Sequence, residues 1–122
     1  MALPHFVLLY VDDPQASATF YARLLDRQPL DSLSNFAMFE LSPNVRLGLW
    51  ARHDVQPAPR GANDAGELAM AVGTAEEVEA LCAEQRRKGA AILQEPATMD
   101  FGRTFLAADP DGHRLRVFCP AP

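Results

Sequence analysis

The order of hydrophobic segments in the first half of the chain recurs in the second, and an internal repeat constrains a fold more tightly than any single segment. Residues 5–11, HFVLLYV, are rich in apolar and β-forming residues and predict a strand. DDPQASATFYARLLD follows. Asp13 suits an N-cap, Pro14 the first helical position, and Ala16, Phe20 and Leu24 give a helical stripe. Two or three strands are then expected: a weak one near 27–31, FAMFEL at 36–41, and VRLGLWA at 45–51 after a Ser-Pro-Asn turn. The second half repeats this order. ELAMAV at 67–72 reads as a strand, and Thr74 with Glu77 forms a capping box for a helix to about Lys88, which Gly89 ends. AAILQE, RTFLAA and HRLRVF complete the set, the last two joined by an Asp-Pro-Asp-Gly turn. Between the halves, RHDVQPAPRGANDAG has no periodicity and the Pro, Gly, Ala and Asn content of a linker. The expected class is α+β: two βαβββ modules, 5–51 and 66–119, joined by a linker at 52–65 within a single domain, 1–122. One module has too little core to stand alone, so the modules must pair, within a chain or between chains.

Composition removes several classes of function. A chain of 122 residues suits one domain whose core needs no staples. A net charge of −5 argues against a nucleic-acid partner, because phosphate binding needs a positive surface field. The opening MALPHFVLLYV has a short apolar run without a basic flank, so neither a signal peptide nor a membrane span is expected, and the default location is cytoplasmic. Cys82, in an expected helix, and Cys119, near the end, are expected to be reduced thiols.

Strand alternation sorts the remaining side chains onto two faces. One set, Val7, Leu9, Val11, Leu47, Leu49, Leu68, Met70, Val72, Leu115 and Val117, is apolar throughout, as a face under two helices should be. The other holds Phe6, Leu8 and Tyr10; Arg46, Gly48 and Trp50; Glu67, Ala69 and Ala71; and Arg114, Arg116 and Phe118. Aromatic rings stack on planar ligands and arginine recognises carboxylates in bidentate fashion. Glycine inside a strand often marks a close approach to the backbone, which Gly48 suggests here. These residues read as the lining of a cavity; the rival reading is that the aromatics fill the interior and the arginines reach solvent. Ser17, Ser32, Ser34, Ser42 and the two cysteines have no histidine companion on that face, so no nucleophile and base pair stands out. Asp109 and Asp111 lack the spacing of a calcium loop and read as turn formers, and His53 and His113 as ordinary polar residues.

The paired modules, DDPQASATFYARLL after the first strand and GRTFLAADPDGHRLRV at the end resemble the vicinal oxygen chelate superfamily, the glyoxalase, bleomycin resistance and extradiol dioxygenase fold. The ending DFGRTFLAADPDGHRLRVFCP is similar to that of its phenazine-antibiotic resistance binding proteins. The resemblance covers nearly the whole chain and bears on fold more than on activity. It implies a cup-shaped mixed sheet with helices on the outer face. In metal-dependent members the first and last strands of each module supply the ligands. Counted from Asp13 and from the DPDG turn, those positions fall on Phe6, Gly48, Glu67 and Arg116, while His5 is one residue off and faces away. A transition metal needs about three protein ligands, so the resemblance implies a member with no metal and no cofactor. The expected function is binding and sequestration of a planar aromatic, anionic, antibiotic-like compound, which would confer drug resistance. Its ligand-binding residues would be Phe6, Tyr10, Arg46, Gly48, Trp50, Glu67, Arg114, Arg116 and Phe118, with Glu67 and Arg116 ion-paired. The expected assembly is a homodimer, with neither membrane nor nucleic acid as partner. The alternatives are a metal-dependent glyoxalase- or dioxygenase-type enzyme with a rearranged ligand set, and a structural dimer with a collapsed cup.

Overall fold

Asp13 leaves the first strand in extended backbone, and its carboxylate accepts hydrogen bonds from the N–H groups of Gln15 and Ala16 at 3.0 and 3.4 Å. That cap, with proline at the first helical position, starts the first helix where the sequence expects it. The computed structural model describes residues 3–122, which fall into two units, one ending at Gly61 and the other Ala62–Pro122. The first unit runs β1 (Phe6–Val11), α1 (Pro14–Leu25), β2 (Asp31–Ser32), β3 (Phe36–Ser42) and β4 (Val45–Ala51). Its sheet has the order β1-β4-β3-β2, with β1 parallel to β4 and the other pairs antiparallel. The second unit runs β5 (Glu67–Ala71), α2 (Ala75–Arg87), β6 (Ala91–Met99), β7 (Gly102–Ala108) and β8 (Arg114–Pro120). Its order is β5-β8-β7-β6, again with the first and last strands parallel. The class is therefore α+β, with the expected mixed sheet divided into two four-stranded sheets, one per module. No helix among the described residues is long and apolar enough to cross a membrane.

Each helix covers one face of its own sheet. In the first unit α1 packs on β3 and β4, and Ala37, Phe39, Leu47, Leu49 and Ala51 are essentially inaccessible to water. The helix buries Pro14, Ser17, Ala18 and Tyr21 rather than the expected stripe of Ala16, Phe20 and Leu24. Those four follow the i, i+3, i+4, i+7 spacing, and small Ser17 and Ala18 sit beside the fully buried Tyr21, whose ring takes Phe20 edge-on at 5.1 Å. In the second unit α2 packs on β6, β7 and β8 through Val78, Cys82 and Gln85, against Phe105, Ala107, Leu115 and Val117. Burial pushes the Cys82 thiol up from its ordinary value, and both cysteines are free.

The departures from the expected elements have local causes. The weak strand near 27–31 contracts to Asp31–Ser32, because the Arg27 N–H still bonds back to Ala22 beyond a left-handed Asp26 at φ 53°. The strand expected at AAILQE continues to Met99, through Pro96. β6 is an edge strand with register shifts between Ile92 and Ala97, where a residue without an N–H is tolerated. Met70, expected under α2, is 44% exposed, since β5 is the outermost strand on the side away from β6 and β7. The linker contains a single 3-10 turn at Arg52–Asp54 and a cis Gln56–Pro57 bond. The last hairpin turns as expected: the Asp109 carboxylate accepts from the N–H groups of Asp111 and His113, each at 2.9 Å, and Gly112 takes φ 84°.

Candidate functional site

In the first unit the sheet face turned away from α1 is built by register. Phe6, Leu8 and Tyr10 of β1 stand beside Arg46, Gly48 and Trp50 of β4. On the other side of β4, Glu40, Met38 and Phe36 of β3 oppose the same three residues. Tyr10 meets Trp50 edge-on, with ring centroids 6.2 Å apart and planes at 78°, the T-shaped arrangement favoured by aromatic quadrupoles. Gly48 does not leave open space. A Cβ there would lie 2.6 Å from Leu8 Cδ2 and 2.9 Å from Phe36 Cζ, so two apolar side chains already cover its backbone. The missing side chain is explained by that packing, and a flat ligand on this face would rest on Leu8 and Phe36 rather than on Gly48. Leu8 and Phe6 are each 46% exposed.

At the other end of the same strands a pocket of about 430 Å³ is lined by His5, Phe6, Pro43, Asn44 and Arg46. The His5 carbonyl accepts from the Arg46 N–H at 2.9 Å, and its ring lies 4.9 Å from that of Phe6. A second pocket, about 340 Å³, lies between the end of β1 and the linker and is lined by Asp12, Arg52, His53, Ala58 and Pro59.

The second unit joins charge and aromatics differently. Arg116 holds Glu67 in a bidentate ion pair, Nε to Oε1 at 2.7 Å and Nη2 to Oε2 at 2.9 Å, as the sequence leads one to expect. Its remaining nitrogen, Nη1, donates to Gln94 Oε1 at 3.2 Å and Thr104 Oγ1 at 3.1 Å. The Thr104 hydroxyl in turn donates to the Val117 carbonyl at 2.8 Å. The Arg116 guanidinium also lies over the Phe101 ring at 5.9 Å, and Phe101 meets Phe118 edge-on. The hydrogen bonds from Arg116 hold the Glu67 carboxyl below the usual carboxylate range; burial opposes them, and the charges of Arg116 and Arg114 reinforce them. Arg114 stands opposite Glu67 in the register, with its Nε buried and without a hydrogen-bond partner. Arg46, Arg114 and Arg116 were each expected to be available to a ligand's carboxylate; all three nitrogens of Arg116 are engaged within the protein.

The residues at the family's metal positions lack the donors of a metal site. Phe6 and Gly48 offer no donor atom, and both oxygens of Glu67 are held by a cation that repels a divalent ion. Among the described residues no group of three or more His, Cys, Asp or Glu side chains is placed to hold a metal. The residues present do not fit the ion.

Sequence alternation named the strands that carry Trp50 and Arg116 but missed their partners. Phe36, Met38 and Glu40 follow from the FAMFEL alternation once the Ser-Pro-Asn hairpin fixes which residues oppose β4. Gln94 needed the bulged register of β6, which no local signal reveals, Thr104 needed the pairing of β7 with β8, and Phe101 lies in the turn between β6 and β7.

Comparison with known proteins adds to this geometry. A model of the Glyoxalase/Bleomycin resistance protein/Dioxygenase superfamily matches residues 2–117. The chain is 32% identical over 122 residues to the phenazine antibiotic resistance protein EhpR of Enterobacter agglomerans, covering 96% of this chain and 91% of that protein. It superposes on the solution NMR structure of protein ATC0852 from Agrobacterium tumefaciens with a TM-score of 0.90 and 46% identity, covering 100% of both chains. A glyoxalase-related enzyme from Fulvimarina pelagi matches with a TM-score of 0.85 over 98% of this chain and 88% of that one, at 22% identity, a likeness of fold alone.

Proposed function

The chain belongs to the glyoxalase/bleomycin resistance protein/dioxygenase superfamily, and on that premise we propose that it is a metal-free binding protein that sequesters a planar aromatic, anionic compound of the antibiotic type. The observation that carries the reading is the pairing of Glu67 with Arg116. The carboxylate at a family metal position is neutralised by a guanidinium held by four hydrogen bonds, and its companions are a phenylalanine and a glycine. What the first unit offers instead is aromatic and apolar surface: Phe6, Leu8, Tyr10, Phe36 and Trp50 on one sheet face. Phe101 and Phe118 give the second unit a surface of the same kind. Such surfaces suit a fused-ring ligand and supply no nucleophile or general base. The likeness to a phenazine antibiotic resistance protein supports a drug as the ligand and resistance as the outcome. In this reading the two modules act as one domain, the protein is cytoplasmic and homodimeric, and no chemistry is performed on the ligand.

The test is a titration of the purified protein with phenazine-1-carboxylate, following Trp50, the only tryptophan. Saturable quenching, together with elemental analysis that finds no stoichiometric transition metal, supports the proposal. An unchanged emission with no thermal shift would remove the binding reading. About one zinc, nickel, iron or manganese per chain, lost in Glu67→Gln, would establish the metalloenzyme in its place.

A further inference from the structure

Arg46 is the arginine of the ligand-binding set that has a cavity in front of it and nothing holding it. Among the described residues its guanidinium makes no hydrogen bond and no ion pair, whereas Arg116 has all three of its nitrogens engaged. The carboxylate directly opposite in the sheet, Glu40, is paired with Arg27 at 3.6 Å. Arg46 nevertheless lines the roughly 430 Å³ pocket together with His5, Phe6, Pro43 and Asn44. A half-buried guanidinium beside an amide and two rings is a composition that takes a carboxylate attached to an aromatic system.

We propose that this pocket at the β3–β4 turn is the anion subsite of the protein, in which Arg46 receives the carboxylate of an aromatic acid, Asn44 donates a further hydrogen bond, and Phe6 and His5 flank the ring. The inference rests on the aromatic-ligand reading above and deepens it by assigning the acid-recognising residue. It also moves that role from Arg116, which the protein uses on itself. Arg46 and Trp50 lie on one face of β4, four residues and so about 13 Å apart. A fused-ring acid anchored at Arg46 therefore extends over Leu8 and Phe36 toward the indole, and Trp50 reports its arrival. His5, which the metal register leaves facing away, takes part as a lining residue of the pocket rather than as a metal ligand.

Two measurements test the assignment. The first compares phenazine-1-carboxylate with its neutral isostere, phenazine-1-carboxamide, by Trp50 fluorescence in wild type, Arg46→Met, Arg46→Lys and Arg114→Met. The wild type should prefer the acid by about tenfold, the worth of a charge-assisted bidentate contact. Arg46→Met should bring the ratio to near one, and Arg46→Lys should retain part of it. An acid preference that survives in Arg46→Met, or that disappears in Arg114→Met instead, overturns the proposal. The second measurement is a titration of the isotopically labelled protein with benzoate, reading the side-chain resonances of Arg46, Asn44 and His5. Saturable shifts that vanish in Arg46→Met support the subsite even if neither phenazine binds, in which case it is the sequestration reading that fails. Phenazine binding without acid preference, joined to a silent benzoate titration, leaves that reading standing and removes this subsite.

Discussion

Glu67 and Arg116 are 30% and 16% exposed at their side chains, between the surface pairs that contribute little and the buried pairs whose disruption is severe. Arg116→Met leaves a half-buried carboxylate unpaired and removes the donor that Gln94 Oε1 and Thr104 Oγ1 accept from, and should lower stability by about 2 kcal/mol, between those limits. The double variant Glu67→Leu/Arg116→Met should recover most of that loss, which urea unfolding of wild type and the two variants will show. The pair also sets a pH dependence. A carboxyl held below its unfolded value adds stability at higher pH and loses it as pH falls through the folded value, so the contribution of Glu67 is complete above about 4.5 and fades below it. The stability of wild type should therefore drop more steeply than that of Glu67→Gln between neutral pH and pH 3, with the two curves converging at the acid end. Gly48 makes a different statement at this scale. Gly48→Ala forces Leu8 and Phe36 apart and should cost about 1 kcal/mol or more in thermal or chemical unfolding, the usual penalty of overpacking.

At the scale of elements, the ends of strands and helices are set by single residues. Asp13→Ala removes an acceptor for two N–H groups at the start of α1 and should cost about 1 kcal/mol. Gly102 opens β7 at φ 140°, where a Cβ would collide with the Cys119 carbonyl. Gly102→Ala should consequently be among the most damaging single changes to the second unit, measurable as a loss of soluble protein or of several degrees in the melting midpoint. Caps and glycines of this kind are why both helices and seven of the eight strands could be read from the chain. Asp13-Pro14, Thr74 with Glu77, and the Asp109 turn each carry their own local chemistry. The helix face was harder: Tyr21, not Phe20, goes inside, because only the assembled sheet decides which part of a broadly apolar stripe is covered. The site was legible to the same depth. Alternation put Trp50 and Arg46 on the one face of β4 where the register places them, and the family resemblance pointed to the Glu67–Arg116 pair, but neither showed that Arg116 would be fully occupied or that Gly48 would be roofed by its neighbours, since both depend on side chains from strands paired across the sheet.

For the whole molecule, net charge and edge strands set the terms of association. The chain carries −5, while β1 and β5, at the edges of their sheets, expose Phe6, Leu8 and Met70. Apolar side chains on open edges favour association, and the acidic surface keeps an assembled species soluble. Light scattering at micromolar concentration should return twice the 13.4 kDa chain mass; a monomer mass would remove the homodimer from the proposed function.

The parallel pairing of first with last strand in each unit has a kinetic consequence. Phe6 must find Arg46 40 positions on, and Glu67 must find Arg114 47 positions on, whereas the β3–β4 and β7–β8 hairpins close over short turns. Loop-closure entropy delays distant pairings relative to local ones. Each hairpin should form first, and β1 or β5 should then dock onto its finished edge. Pulse-labelled hydrogen exchange during refolding should find hairpin amides protected before those joining β1 to β4 and β5 to β8; simultaneous protection would refute this order. On the ribosome the same rule holds Glu67 waiting for a guanidinium 49 residues behind it, so its carboxylate leaves the exit tunnel unpaired and stays so until β8 has followed it out.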